Sequence, residues 1–378
     1  MGNNLQERIY KFDNIKFLSI ILVVIGHVIE EPYVNDNMST LLRSFFIFIY
    51  SFHMPLFVFI SGLFQKRFNA NNKLQINKIA FYVILGFLLK ILNAFAKMAN
   101  GAKFSINFFG GASIDWYMFA MSMFITTAYL LRKIHPAITL TISFALGTFA
   151  GCFGFIDDTL YLSRYFVFLP IYLLGYYMTP ELLIKIEKNY AVKAISGTSM
   201  LLFFIFCFRN LDKAYKLRRL FTGKNPFSNI PIDNCGFEHR LLCYAISLLL
   251  CMTVFCFIPN IRVPLISKMG GNTLAVYFWH RPVLYLISAT GFFTFVESLG
   301  DPLYKVILLF FGVILGFVLS FSIFMKPLTA LSKQINKLKP KWCYTLIFAP
   351  FIIGLITMYK ELPGYFEYII NKFKNILT

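Results

Sequence analysis

Long apolar windows separated by short polar connections run along the whole chain. An α-helix needs about 20 predominantly apolar residues to cross a bilayer, and eleven windows reach or approach that length. They lie at 15–30, 41–64, 78–96, 116–131, 136–153, 162–179, 190–208, 240–258, 272–295, 303–325 and 342–358. The longest polar connection, about Arg209 to Arg240, is too short for a core of its own. The pattern predicts an all-α, polytopic membrane protein with about ten or eleven transmembrane helices in one membrane domain.

Composition supports a lipid environment and argues against a nucleic-acid-binding protein and against a metalloprotein. Hydrophobic residues make up 58% of the chain and charged residues 14%, against about 45–50% and about 25% in ordinary soluble domains. The net charge of +19 is divided among short clusters between apolar windows, so no nucleic-acid partner is expected. The seven cysteines show no CxxC or Cys/His ligand spacing, so no metal site is predicted.

The distribution of Lys and Arg predicts the orientation of the chain. Short cytoplasmic loops carry an excess of these residues, and every second connection here is basic. The basic connections contain Arg8, Lys11 and Lys16; Lys66, Arg67, Lys73 and Lys78; Arg132 and Lys133; Lys185, Lys188 and Lys193; Arg262 and Lys268; and Lys326, Lys333, Lys337, Lys339 and Lys341. We therefore expect a cytoplasmic N-terminus in the inner membrane. No small-residue cleavage site follows the first window, so we interpret it as a retained helix rather than a signal peptide.

One basic connection breaks the alternation. This topology places the segment with Lys213, Lys216, Arg218, Arg219 and Lys224 on the extracytoplasmic side. Three explanations are open: a miscounted span, a solvated or interfacial amphipathic segment, or a basic surface that attracts an anionic acceptor such as an acidic glycan or a phosphorylated lipid carrier.

Ionisable side chains inside the apolar windows are few, and they are the main functional signal. Each costs about 2.5–3.5 kcal/mol at a helix centre on insertion scales, so each needs a structural or chemical reason. They are His27, His53, Lys90, Arg164 and the pair His280-Arg281.

Lys16 and His27 share one face of the first predicted helix. They are eleven residues apart, which at about 100° and about 1.5 Å per residue gives the same stripe and a separation of roughly 16 Å. This arrangement suits a coenzyme A thioester with its phosphates near Lys16 and its reactive end at His27. His27 would then take a proton from an acceptor hydroxyl as general base, or form a covalent acyl-histidine. In the alternative, neither residue takes part in catalysis: His27 is an interfacial hydrogen-bonding residue and Lys16 a positive-inside anchor.

The second window contains further candidates for donor binding. His53 precedes Pro55, where a kink would free backbone groups that can be satisfied inside a cavity. Ser61 and Gly62 follow near the cytoplasmic end, ahead of Arg67. Small residues there suit either close helix packing or a donor channel.

Later windows supply three more candidates. Trp116 opens the fourth window, where an aromatic-belt position is the alternative to substrate contact. Arg164 either snorkels outward or binds donor phosphates or an acceptor oxygen. His280 lies within the ninth window.

Five segments together resemble the membrane acyltransferase-3 family, and especially its fucose 4-O-acetylase-like branch. The stretch Phe12 to His27 is similar to the family signature of a cation, ten residues and a histidine, with Lys16 in place of the commoner Arg. The other four are FHMPLFVFISGLF from Phe52, DWYMFAMSMF from Asp115, SRYFVFLPIYLLGYY from Ser163 and GGNTLAVYFWHRPVL from Gly270.

The resemblance implies a core of roughly ten helices over residues 1–341, with residues 342–378 adding a transmembrane helix and a C-terminal tail. It implies transfer of an acetyl or other acyl group from cytoplasmic acyl-coenzyme A, without a metal, to a hydroxyl of a cell-surface or lipid-linked glycan. It also implies that His27 is catalytic and Lys16 its partner. Arg164, His53, Trp116 and His280 occupy motif positions with less defined roles, and Ser61 and Arg67 join them as candidate acyl-coenzyme A contacts.

Two other functions remain compatible with the sequence. A polysaccharide or lipid-linked sugar exporter would use many helices and a basic loop but would not need acyl-coenzyme A. Acylation of a peptide or a small lipid would keep the chemistry and change only the acceptor.

Overall fold

The structure, a computed structural model, describes residues 9–31, 39–68, 73–111 and 113–357, apart from the side chains of 66–68 and 357. Helices dominate these ranges, and no strand occurs within them. The α-helices are α1 (Tyr10–Glu30), α2 (Thr40–Tyr50), α3 (His53–Phe68), α4 (Ile76–Met98), α5 (Trp116–Leu130), α6 (Pro136–Phe149), α7 (Leu162–Tyr177), α8 (Pro180–Glu187), α9 (Tyr190–Arg209), α10 (Leu211–Lys216), α11 (Arg218–Thr222), α12 (Phe237–Phe257), α13 (Pro264–Met269), α14 (Thr273–Ser288), α15 (Phe292–Ser298), α16 (Leu303–Leu319), α17 (Ser322–Asn336) and α18 (Pro340–Thr357).

Each of the eleven apolar windows contains a helix, but the helices differ in their capacity to span a membrane. Within the described part of the chain, five runs are long and apolar enough to do so alone: Tyr10–Glu30, Thr40–Gln65, Ile76–Met98, Tyr190–Arg209 and Phe237–Phe257. Two bent pairs, Thr159–Tyr177 with Pro180–Glu187 and Leu303–Leu319 with Ser322–Asn336, raise the number to seven if each pair is one span. Pro136–Cys152 and Pro340–Ile356 are shorter apolar helices.

The apolar side chains left exposed show which surfaces face lipid. α9 is long and apolar enough to span a membrane, yet only 17% of its hydrophobic window is buried. Large exposed side chains also cover one face of α16 and of α18, including Phe310, Ile314, Ile352 and Ile356. Water would not tolerate such continuous apolar surface, whereas lipid does. The all-helical prediction is confirmed, and the chain is a multi-pass membrane protein.

α1 lies at the centre of the bundle. It packs against α2, α3, α13, α14 and α16, and most of its side chains are buried. Two glycines of α16 allow that helix to approach closely: a Cβ at Gly312 would lie 3.0 Å from Cα of Ile25, and one at Gly316 would meet the side chain of Ile21. The helix that carries Lys16 and His27 is therefore held from several sides.

The predicted kink in the second window is a break between α2 and α3. Pro55 has no N–H to donate to the carbonyl of Ser51, four residues earlier. The hydroxyl of Ser247 in α12 donates to that carbonyl instead, at 2.6 Å. The freed backbone group is thus satisfied inside the protein, as a membrane environment requires, and the break places His53 at the first turn of α3.

The two ends of α1 meet different parts of the chain. At one end Lys11 pairs with Glu187 of α8, and Asn14 contacts the carbonyl of Ile261 and the hydroxyl of Ser267. At the other end Glu30 pairs with Arg218 of α11. The basic segment after α9 therefore lies at the Glu30 end of the bundle, where the loop-charge topology places it, and a miscounted span is not needed to explain it.

Candidate active site

Two cavities enter the bundle at the Glu30 end and share His27 and Glu30 in their walls. The cationic cavity, of about 1070 Å³, is lined among others by His27, Glu30, Lys90, Lys97, Lys216 and Arg218. The aromatic cavity, of about 620 Å³, is lined among others by His27, His53, Trp116, Arg164, Phe168 and Tyr277. His27 thus lies where the two spaces meet.

Hydrogen bonds define which nitrogen of His27 is available for chemistry. Nδ1 of His27 lies 3.3 Å from Oε2 of Glu30, one helical turn further along α1. An ionised carboxylate only accepts hydrogen bonds, so Nδ1 carries the hydrogen and Nε2 keeps its lone pair. The hydroxyl of Tyr50 lies 3.4 Å from the same carboxylate oxygen and 3.5 Å from Nδ1. Glu30 and Tyr50 together orient the imidazole.

Two more histidines lie beside His27. The rings of His27 and His280 are 5.2 Å apart between centroids, and the ring of His53 is 4.7 Å from that of Tyr50. Nδ1 of His280 donates to the carbonyl of Val276 at 2.9 Å, and Nδ1 of His53 donates to the carbonyl of Ile49 at 2.8 Å. In both, the hydrogen on Nδ1 leaves Nε2 as an acceptor. Nε2 of His280 is buried without a hydrogen-bond partner among the described residues.

Trp116 and Arg164 form one wall of the aromatic cavity. The Trp116 ring stacks on Phe168 at 5.1 Å between centroids, and the Arg164 guanidinium lies over it at 5.2 Å. Trp116 is buried, which excludes the aromatic-belt alternative. Arg164 does not snorkel either, because it is buried and Nε lies 3.5 Å from Oδ1 of Asp158. Burial raises the pKa of the Asp158 carboxyl above its usual value, although Arg164 and Lys224 oppose that shift.

The buried cation Lys90 is fully engaged with the protein. It donates to the carbonyls of Asn107 and Gly110, both at 2.7 Å, and pairs with Asp115 at 3.0 Å. The hydroxyl of Tyr161 donates to the same carboxylate. These contacts compensate the Lys90 charge and attach the segment before α5 to the cavity wall, so the reason for a cation in the third window is structural.

The remaining predicted site residues lie away from the cavities. Lys16 pairs with Asp13 at 2.8 Å, lies over the Phe64 ring, and is not part of either cavity's lining. The Ser61 hydroxyl hydrogen-bonds that of Tyr117 at 2.7 Å, between α3 and α5. The side chain of Arg67 lies outside the described residues. The structure thus gathers His27, His53, His280, Trp116 and Arg164, but not Lys16 or Ser61.

Sequence reasoning missed Glu30, Tyr50 and Arg218 as site residues. Glu30 could have been found, because a residue three positions after His27 in a helix lies on the same face. Tyr50 and Arg218 reach the site only through tertiary packing and gave no local signal. Among the described residues, no group of three or more His, Cys, Asp or Glu is arranged to hold a metal ion.

A family model matches most of the chain. The acyltransferase-3 family model, described as an acyltransferase domain, matches residues 9–325. The chain belongs to the acyltransferase-3 family. A segment is also similar to nodulation protein NolL of Sinorhizobium fredii (strain NBRC 101917 / NGR234), with 45% identity over 51 residues, which is 14% of this chain and 14% of that protein. No solved structure matches the chain.

Membership of the acyltransferase-3 family confirms the predicted family. The matched region includes every predicted site residue, from Lys16 to His280. It ends within α17, so α18 lies beyond it. The fucose 4-O-acetylase-like branch, the donor, the acceptor and the division at residue 341 remain predictions.

Proposed function

We propose that this acyltransferase-3 protein is an O-acyltransferase, specifically an O-acetyltransferase, that transfers the acyl group of cytoplasmic acyl-coenzyme A to a hydroxyl of a cell-surface or lipid-linked glycan. The observation that carries the proposal is His27 at the junction of two cavities, with Nδ1 hydrogen-bonded to Glu30. A general base needs an oriented lone pair within reach of a substrate-sized space, and this arrangement supplies both.

In the proposed reaction, Nε2 of His27 takes the proton of the acceptor hydroxyl as its oxygen attacks the thioester carbonyl. The new C–O bond forms, the C–S bond breaks, and the departing thiolate of coenzyme A receives the proton from the imidazolium. Glu30 stabilises the transient positive charge on the ring through Nδ1–H. Oxygen attacks the thioester directly in this scheme, although His27 could also carry the acyl group covalently.

The substrates would approach His27 from opposite ends of α1. Lys16 lies roughly 16 Å from His27 along the helix axis, and we assign it to the phosphates of the donor. The aromatic cavity would receive the acceptor sugar, because its wall combines the aromatic residues Trp116 and Tyr277 with the polar residues Arg164, His53 and Asn229. Such a combination of aromatic and polar groups is typical of pockets that orient small polar ligands.

The proposal is tested by measuring transfer of labelled acetyl from acetyl-coenzyme A to candidate glycans with the purified protein. His27→Ala should lower the rate by about 10²–10⁴-fold, because a positioned general base contributes that much. His239→Ala is the matched control, since His239 lies at the first turn of α12 and pairs with Glu238, away from both cavities.

Size-exclusion profiles and melting temperatures would establish that both variants fold. Transfer by a folded His27→Ala protein at the wild-type rate would refute the role of His27. Glycan export that continues without acyl-coenzyme A, and that stops in a deletion strain while acylation stays normal, would support the exporter instead.

A further inference from the structure

Positive charge converges on the mouth of the cationic cavity from separate parts of the chain. Arg43 comes from α2, Lys97 from the end of α4, Lys103 from the segment after it, Lys216 from α10 and Arg219 from α11. Lys97, Lys103, Lys216 and Arg219 are exposed, and Arg43 is half-buried. Five cations from distant positions in the sequence therefore face one space.

Among the described residues, carboxylates pair directly with none of these cations, although Lys97 interacts electrostatically with Glu31. Within the described ranges, none of the five forms an ion pair. Arg43 instead stacks on Tyr215 at 4.0 Å, and Lys97 lies over Tyr285 at 5.2 Å.

The carboxylates in the lining are mostly engaged elsewhere. Glu30 is paired with Arg218 and Asp115 with Lys90, which leaves the exposed Asp212 as the other carboxylate of the lining. A concave surface with one dominant sign of charge concentrates ligands of the opposite sign and steers their approach. The cavity is therefore built to attract anions.

We propose that the cationic cavity binds the acceptor through negative charges, and that the acceptor is an acidic glycan bearing carboxylates or phosphates. This inference rests on the proposed function and names its acceptor class. The cavity's volume of about 1070 Å³ exceeds that of typical small-molecule pockets, so it has room for several sugar units. One unit entering the aromatic cavity would bring a hydroxyl to His27 while charged neighbours stay at the mouth.

The donor is the competing anion, because coenzyme A also carries phosphates. The cationic cavity lies at the Glu30 end, whereas the donor is assigned to the Lys16 end of α1. The five cations would then be free of the donor and available to the acceptor. This assignment predicts that removing the charges weakens binding of the glycan and not of acyl-coenzyme A.

The test uses the full-length protein in nanodiscs and measures binding of glycan probes without acyl-coenzyme A and, separately, binding of acetyl-coenzyme A alone. The probes are a trigalacturonate, a neutral galactose trimer of the same size and a phosphorylated galactose trimer. Lys97→Gln with Lys216→Gln should weaken binding of an anionic probe by at least about tenfold. Lys213→Gln is the matched control, because Lys213 is an exposed lysine of the same short helix as Lys216 but does not line the cavity.

Each outcome has a defined meaning. Preference for trigalacturonate identifies carboxylates as the recognised groups, and preference for the phosphorylated trimer identifies phosphates. Equal binding of neutral and anionic probes, or an equal effect of Lys213→Gln, would overturn the proposal. Weaker binding of acetyl-coenzyme A in the double variant, with glycan binding unchanged, would assign the cations to the donor. Because no transfer is measured, these results are independent of whether His27 is the base.

Discussion

At the residue scale, the contact between His27 and Glu30 fixes which nitrogen of the imidazole faces the carboxylate. The pair is local to one helix, and the carboxylate is held from the other side by Arg218. Burial disfavours the charged form of Arg218, but the Glu30 carboxylate together with Tyr215 and Tyr50 outweighs it, so the pKa of Arg218 is raised above its usual value. Arg218 thus remains charged at any working pH and keeps Glu30 in place. The imidazole has a fixed tautomer as a result.

This arrangement predicts that Glu30→Gln slows transfer without weakening substrate binding. A glutamine amide keeps the size of the side chain but loses the charge that stabilises an imidazolium. We expect kcat to fall by about 10–100-fold, less than for His27→Ala, with KM changed by less than about twofold. Steady-state kinetics with varied acetyl-coenzyme A and glycan would measure both values.

Glu31→Gln is the matched control, since Glu31 is the next residue and pairs with Arg281 at 2.7 Å rather than with His27. It should leave kcat within about twofold of wild type. If Glu30→Gln raised KM alone, or if both variants lowered kcat equally, the orienting role of Glu30 would be wrong.

At the element scale, the interface between α3 and α7 fixes one wall of the aromatic cavity. Two glycines make this interface unusually close: a Cβ at Gly62 would collide with the carbonyl of Tyr172, and one at Gly175 with the carbonyl of Phe59. Small residues allow helices to approach in a membrane, where packing rather than water drives association. His53 on α3 and Arg164 on α7 are positioned by this contact.

Gly175→Ala should therefore destabilise the protein. The added methyl group meets backbone, which cannot move aside as a side chain can, and overpacking of this kind costs about 1–3 kcal/mol. Thermal unfolding in detergent should show a lower Tm than wild type. Gly154→Ala is the control, because a Cβ at Gly154 has no atom within 4 Å among the described residues. An unchanged Tm for Gly175→Ala would show that α3 and α7 are not so closely packed.

At the scale of the whole molecule, the charged segments fall at two ends of the bundle. Lys11 meets Glu187 at one end, where Asn77 also hydrogen-bonds the carbonyls of Ile335 and Leu338. The cavities and the basic segment after α9 lie at the other. The charge rule assigns the first end to the cytoplasm, so the cavities should open to the extracytoplasmic side.

Thiol labelling tests that orientation. In a variant without the native cysteines, Lys213→Cys should react with a membrane-impermeant maleimide on intact cells. Lys337→Cys should react only after permeabilisation, and it is suitably exposed. If Lys337→Cys reacted on intact cells and Lys213→Cys reacted only after permeabilisation, the topology would be the reverse of the predicted one, and the acceptor cavity would open to the cytoplasm.

Most of the architecture followed from the periodicity and length of the apolar windows, because lipid forces backbone groups to be satisfied within helices. Each predicted window contains a helix. The lengths of the helices were less predictable. α5 and α14 have 15 and 16 residues. They are about 22–24 Å long, which is less than the thickness of the hydrocarbon core of a bilayer. Both carry residues of the cavities, Trp116 and Tyr277, so the shortening accompanies the site.

The sequence by itself determined the membrane environment, the helical class and the family, and it singled out His27 as a candidate, since an ionisable group in an apolar helix needs a reason. Only the tertiary structure decided which polar residues meet. It brought Tyr50, Arg218 and His280 to the pair of His27 and Glu30 from distant positions, His280 from 253 residues further along the chain, and left Lys16 beside Asp13 at the far end of α1. Helical spacing fixes which residues share a face, whereas the partners of that face depend on how separate helices pack.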